Sequence, residues 1–235
     1  MDPAGAPTLG IPGAGPEEKW EQAENALHER GIQGRPGQCY LFPMPKPSVG
    51  QGLHPWHDIP TGPEPPAVIN AIIEIPTNER NKYELDKEIG IFRLDRVLAS
   101  AVHYPGDYGF IPRTLGDDGD PLDVLVITTI PVFTGCLIEC RPIGLFHLID
   151  RGKADEKVLA VPVRDPYSDG VNGLDDLPKH SLKEIEHFFQ VYKDLEGVTT
   201  RTRGFEGAEE ARQAISEAMD LYRKKFRRPS TGRKR

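Results

Sequence analysis

At 235 residues, with 37% of them hydrophobic, the chain is long enough for one well-filled core with extra segments at its ends. Its 29 Lys and Arg stand against 36 Asp and Glu, a formal charge of −7, which opposes broad nucleic-acid binding and suits an acceptor of divalent cations. No run approaches about 20 apolar residues, which excludes a helix spanning a bilayer.

Residues 1–53 are rich in Pro and Gly, and residues 1–16 carry almost no charge or bulky apolar side chain, so this extension reads as mobile at its start. From Glu17 a short helix is predicted, because Trp20, Ala23 and Leu27 recur at helical spacing and Gly31 supplies a stop. Nothing resembles a secretory signal, and Cys39, Cys136 and Cys140 are too few for a disulfide framework. Both point to a reducing compartment, cytoplasmic or the stroma or matrix of an organelle. Cys136 and Cys140 lie in an apolar run without a second ligand pair and read as buried thiols rather than a zinc site.

Further along, short β-branched runs broken by Gly, Pro and Asp predict strands at 68–75, 91–98, 122–129, 136–149 and 158–163. Five strands at this spacing predict a small barrel. A helix is predicted over 181–194, with Ser181 and Glu184 as a capping box and Leu182, Ile185, Phe188, Phe189 and Tyr192 on one face. A second, over 208–226, turns Ala211, Ile215, Ala218, Met219 and Tyr222 inward. Strands first and helices after predict an α+β fold, mainly β, filling a domain over 54–226, with a solvated basic tail at 227–235.

The densest chemical signal is Asp118-Gly119-Asp120-Pro121-Leu122-Asp123, directly before a predicted strand. Three carboxylates this close repel by roughly 1 kcal/mol per pair even when solvated, and a hard cation relieves that repulsion. Oxygen ligands without Cys or His favour Mg²⁺, with Mn²⁺ as a substitute, over Zn²⁺. Gly119 permits a tight turn and Pro121 stiffens it. Asp150 and Asp155 follow another predicted strand and complete a cluster if the strands are neighbours. Glu74 interrupts Ile72-Ile73-Glu74-Ile75, where a half-buried strand favours an apolar residue; a buried charge has to be paired or metal-bound. Lys82, Arg96 and Lys193 add cations and Tyr192 a hydroxyl, and acids, metal, cations and hydroxyls together are what a polyanion requires.

These residues match a known pattern. The runs Lys82-Tyr83-Glu84-Leu85-Asp86-Lys87 and Tyr104-Pro105-Gly106-Asp107-Tyr108-Gly109-Phe110-Ile111-Pro112, the 118–123 loop, Arg141-Pro142-Ile143-Gly144, the 150–157 segment and His187-Phe188-Phe189-Gln190-Val191-Tyr192-Lys193 resemble the family I soluble inorganic pyrophosphatases. The resemblance runs from about His54 to Phe226. It implies a distorted five-stranded OB-like barrel with two helices at its side, a homo-oligomer, and a cleft holding pyrophosphate with several Mg²⁺. It also implies roles. Asp118, Asp123 and Asp155 would bind the activating metals, with Asp150 beside a metal that arrives with substrate and Glu84 and Glu74 as outer ligands. Asp120 would be the general base, Lys82, Arg96, Tyr192 and Lys193 would grip phosphate, and Tyr108 and Lys157 would assist at the reacting centre. Asp107 stands where many members carry Asn, and Arg151 and Lys153 put positive charge beside Asp150, departures expected to weaken substrate-linked metal binding. His54-Pro55-Trp56-His57-Asp58 resembles the lead-in segment of plant-type members, with a structural role for both histidines.

Rival readings of the acidic loop fail on spacing. A phospho-aspartate phosphatase places its Asp-x-Asp after a strand, whereas here it precedes one. An EF-hand needs Gly and Glu where a loop starting at Asp118 has Asp123 and Thr129. A non-catalytic OB-like module holding single-stranded nucleic acid is disfavoured by the acidity of the cleft, which repels phosphates.

Overall fold

The protein is described here by a computed structural model covering residues 53–226. The predicted helix near Trp20, Cys39 and the basic tail beyond 226 lie outside the described residues. Among the described residues, eight strands and two α-helices follow in the order β1 (Ile69–Ile75), β2 (Asn81–Asp86), β3 (Ile91–Val97), β4 (Asp107–Phe110), β5 (Asp123–Val126), β6 (Leu137–Asp150), β7 (Lys153–Pro162), α1 (Lys179–Val191), β8 (Thr200–Glu206) and α2 (Ala208–Lys225).

Five strands close into a ring. The sheet runs β1-β4-β5-β7-β6-β8, and β1 pairs again with β6, so β8 alone lies outside the closure. The ring differs in membership from the sequence expectation. The predicted strand at 91–98 is β3, which pairs with β2 as a separate hairpin; the fifth ring member is β4, a four-residue strand hidden among prolines and glycines. Strands β2 and β8 escape prediction because their sequences, NKYELD and TRTRGFE, are too polar to announce a buried face.

Both faces of the ring strands are covered, so these strands read as continuous apolar runs rather than alternating ones. On one face Leu125, Phe146, Leu148, Leu159 and Val161 pack with Ile185, Phe188 and Phe189 of α1. On the other, Val124, Val126, Leu145, Val158 and Ala160 pack with Ala211, Ile215 and Ala218 of α2. Burying each large apolar side chain stabilises the fold by about 1.5–3 kcal/mol, so the faces that the two helices cover are the main source of stability. Where β1 crosses β4 the backbones touch closely: a Cβ on Gly109 would lie 1.9 Å from the Ile72 carbonyl oxygen, so only glycine fits.

Helix α1 begins two residues before the expected capping box. Pro178 is its N-cap without any side-chain cap, and the Ser181 N–H bonds the Pro178 carbonyl at 2.9 Å, so proline geometry rather than the serine sets the start. Helix α2 matches its expected span and carries Glu209 and Glu210 in its first turn and Arg223, Lys224 and Lys225 in its last, each sign facing the favourable end of the helix dipole. Cys140 is buried as expected, but Cys136 is only half-buried, in the turn just before β6.

Asp107 overturns an expectation. It is fully buried and engaged within the protein: its carboxylate accepts from Thr77 N at 2.7 Å, Thr77 Oγ1 at 3.1 Å, Thr128 Oγ1 at 2.6 Å and Val132 N at 3.3 Å. Four donors tie two loops to one carboxylate at the start of β4. An asparagine would aim its amide nitrogen at one of these donors. Asp107→Asn is expected to lower stability by about 1–3 kcal/mol, as measured by thermal unfolding.

Candidate active site

Strand alternation collects the charged residues. On β5, Asp123 shares a face with Leu125; on β6, Asp150 follows Phe146 and Leu148; on β7, Asp155 and Lys157 precede Leu159 and Val161. The apolar members of this face pack under α1, and its charged ends meet because β5 runs parallel to β7 with Asp123 opposite Lys157, while antiparallel β6 brings Asp150 opposite Lys153. Asp150 and Asp155 are therefore strand residues, where the sequence reading had them in a loop.

The cleft at this end has a volume of about 250 Å³. Its lining includes Glu74, Lys82, Glu84, Tyr108, Asp118, Asp120, Asp123, Asp150, Asp155, Lys157, Tyr192 and Lys193, which is every sequence-predicted site residue except Arg96. The guanidinium of Arg96 is engaged elsewhere, by Asp95 and by Glu196 at 3.1 Å, although its register partner is Lys82. Lys87, which sequence reasoning did not single out, also lines the cleft; a lysine in a polar turn gives no signal of its own.

At the floor, Lys157 is 2% exposed and donates to Asp123 Oδ2 at 2.7 Å, Asp155 Oδ1 at 2.8 Å and the Tyr108 hydroxyl at 3.1 Å. Tyr108 in turn donates to Asp123 Oδ2. Burial opposes the charge on Lys157, but Asp123 and Asp155 outweigh it and hold the ammonium above its usual range. Desolvation raises the Asp155 carboxyl, against the pull of Lys157. Burial and neighbouring carboxylates push the Tyr108 and Tyr192 phenols up, so both remain neutral donors.

Around the rim, Lys193 donates to Asp150 Oδ2 at 2.7 Å, which leaves Asp150 Oδ1 buried without a hydrogen-bond partner. Lys82 pairs with Glu84 and Lys87 with Asp120. Glu74 sits at a β-bulge between Ile73 and Ile75, which turns it out of the strand's alternation; its Oε1 accepts from Leu85 N at 2.7 Å. Desolvation pushes its carboxyl up to about 8, with Asp123 and Glu84 adding to the rise and the Leu85 N–H and Lys82 opposing it.

The acidic loop is tied at both ends. Thr114 Oγ1 accepts from Leu122 N at 2.9 Å, Gly116 N bonds Asp120 O at 2.7 Å, and Asp118 Oδ1 accepts from Asp120 N at 3.0 Å. Gly119 adopts φ +96°, the turn the sequence required of it. Asp118 and Asp120 thus stand exposed on a fixed loop. Arg151, at φ 49°, lies in the exposed β6–β7 turn, and exposed Lys153 opens β7.

Among the described residues no three carboxylates meet closely enough to enclose an ion as they stand; protein ammonium groups hold them in pairs. The donor set nonetheless fits a hard divalent cation. It offers oxygen alone, and an unpartnered buried carboxylate oxygen on Asp150 and a Glu74 held protonated by desolvation are both groups that a nearby cation would satisfy.

The chain is similar to proteins already known. An inorganic pyrophosphatase of Halalkalibacterium halodurans is 54% identical over 158 residues, covering 67% of this chain and 97% of its own. The crystal structure of inorganic pyrophosphatase from Thermus thermophilus matches with a TM-score of 0.70 at 38% identity, over 72% of this chain and 99% of that one. A type I inorganic pyrophosphatase structure from Toxoplasma gondii matches with a TM-score of 0.69 at 27% identity, over 74% of this chain and 89% of that one. The inorganic pyrophosphatase family model matches residues 71–223, and with relatives this similar the chain belongs to that family, in its soluble family I branch.

Proposed function

We propose that the chain hydrolyses inorganic pyrophosphate to two phosphates, with Asp120 as the general base. The observation that carries this reading is the convergence in one cleft of six candidate metal ligands, Asp118, Asp123, Asp150, Asp155, Glu74 and Glu84, with Lys82, Lys157, Lys193 and two neutral phenols. Carboxylates alone would repel a polyanion, and ammonium groups alone would bind it without chemistry.

Asp118, Asp123 and Asp155 would hold Mg²⁺ or Mn²⁺ at the floor of the cleft, with Asp150 beside them and Glu74 and Glu84 farther out. Bound there, such ions supply Lewis-acid charge that makes water more acidic and neutralises phosphate oxygens. The exposed carboxylate of Asp120 faces solvent from its tied loop and accepts a proton from water as the water oxygen bonds to phosphorus. The bond from that phosphorus to the bridging oxygen breaks, and the second phosphate departs with the bridging oxygen. Lys82 and Lys193 neutralise its growing charge, and the Tyr192 hydroxyl donates to it. Lys157 and Tyr108 fix Asp123 from below, which keeps the ligand oxygens oriented. Arg96 acts at one remove: it holds Asp95, whose Oδ2 lies 3.8 Å from Lys82 Nζ. Homo-oligomeric assembly and a cytoplasmic setting belong to the same reading.

Two outcomes test it. Phosphate release from pyrophosphate is expected to stop on chelation of divalent ions, and Asp120→Asn to slow it by about 10²–10⁴-fold with thermal unfolding unchanged; turnover near wild type would remove Asp120 as the base. The second concerns Glu74. Its folded-state carboxyl, at about 8, lies above the ordinary 4.5, so the folded protein binds the extra proton between those values and loses stability as pH rises through them. In metal-free protein, unfolding free energy from urea titrations is expected to fall more steeply across that window in wild type than in Glu74→Gln, with Mg²⁺ flattening the wild-type slope.

A further inference from the structure

Four lysines line the cleft, and three are tightly committed. Lys157 is 2% exposed between Asp123 and Asp155, Lys193 is 12% exposed on Asp150, and Lys82 is 19% exposed beside Glu84. Withdrawing any of these would strand a partly buried charge. Lys87 differs. Its side chain is 44% exposed and that of its partner Asp120 is 55%, so their pair is solvated, weak and easily exchanged.

The backbones on either side of this pair are held firmly. In the β2–β3 turn, Asp86 Oδ1 accepts from Glu88 N at 3.1 Å, Asp86 Oδ2 takes Arg93 Nη1 at 3.0 Å, and Gly90 closes the turn at φ +72°. His54 Nδ1 accepts from Trp56 N at 3.2 Å, which leaves Nε2–H to donate to the Lys87 carbonyl at 3.0 Å. Two residues on, buried Trp56 donates through Nε1 to the Thr114 carbonyl at 2.8 Å, and Thr114 anchors the acidic loop at Leu122. One short segment thus fastens both the turn that carries Lys87 and the loop that carries Asp120. The two chain segments keep their spacing while the Lys87 side chain remains able to change partner.

We propose that Lys87 is a substrate-binding residue that acts as a latch: its ammonium spans the mouth of the cleft to Asp120 and exchanges that carboxylate for a phosphate oxygen of pyrophosphate. The proposal rests on the reading of the cleft as a pyrophosphate site. A pyrophosphate oxygen is a stronger acceptor than one solvated carboxylate, because charge-assisted bonds strengthen with the charge of the acceptor. The exchange uncovers the Asp120 oxygen that the ammonium had occupied, so arrival of substrate and exposure of the base become one event.

The test uses the full-length protein with Mg²⁺. Affinity for imidodiphosphate, a non-hydrolysable analogue, is measured by calorimetry, and KM and kcat for pyrophosphate by phosphate release, in wild type, Lys87→Met and Lys87→Arg. Lys87→Met is expected to weaken analogue binding and raise KM by about 5–10-fold while kcat stays within about twofold, and Lys87→Arg to restore both. Thermal unfolding of the variants establishes that they are folded. Analogue affinity unchanged in Lys87→Met overturns the latch, and so does an equal loss in Lys87→Arg, which would make length or packing the cause rather than charge. A wild-type protein inert toward pyrophosphate overturns the site reading and the latch together, whereas an active wild type with an unaffected Lys87→Met overturns the latch alone.

Discussion

The ammonium of Lys157, buried between Asp123 and Asp155, is the interaction on which the cleft depends. A lysine at 2% exposure is stable only with its charge matched, and here two carboxylates and the Tyr108 hydroxyl match it. The dependence is mutual, since Asp155 and Asp123 would otherwise repel each other at the end of an apolar face. The rings of Tyr108 and Phe189 each lie 5.4 Å from Nζ and close the remaining sides. Parallel pairing of β5 with β7 supplies the geometry, because it alone sets Asp123 opposite Lys157.

That pairing is secured by the burial of both faces of the ring. A slip by one residue would move Val124, Val158 and Ala160 from the α2 side to the α1 side and send the acids into the apolar core beneath α2. Hydrophobic packing thus fixes the register, and the register fixes the charges. The polar ends of the strands form a floor whose charges are neutralised in pairs, and the walls come from elements outside the ring: the β2–β3 hairpin on one side and the 118–122 loop on the other.

Behind those walls, the 54–58 segment works as a strap. Besides its bonds to Lys87 and Thr114, His57 Nδ1 lies 2.8 Å from the Tyr222 hydroxyl of α2, and Arg113 donates to the carbonyls of His57 and Asp58 at 3.0 Å each. Both histidines thus bond to protein groups, His54 to Lys87 and Trp56 and His57 to Tyr222. Trp56 joins Ile72, Leu85, Phe110 and Leu115 in a small core that lies directly beneath the hairpin and the acidic loop. Strands supply the floor at fixed positions, and loops held by side-chain bonds to backbone supply the walls.

Much of this was legible in the sequence. Period and composition located four of the five ring strands and both helices, and the crowding of Asp118, Asp120 and Asp123 marked the chemistry, because acids repel unless something compensates them. Glu74 was legible for the same reason, as a charge in an apolar strand. Other features depend on pairing, which local pattern does not encode. The strand β4 is too short and β2 too polar to declare themselves, and Arg96 has the composition of a phosphate ligand while its partners lie in Asp95 and Glu196. Asp107 shows the limit most plainly: standing where many family members carry Asn, it was expected to weaken metal binding, and only the meeting of two loops around it made it an internal hydrogen-bond acceptor. Sequence by itself determined which groups carry charge and which segments must be buried; tertiary structure alone decided which charges face one another, because that is set by register and loop closure between residues far apart in the chain.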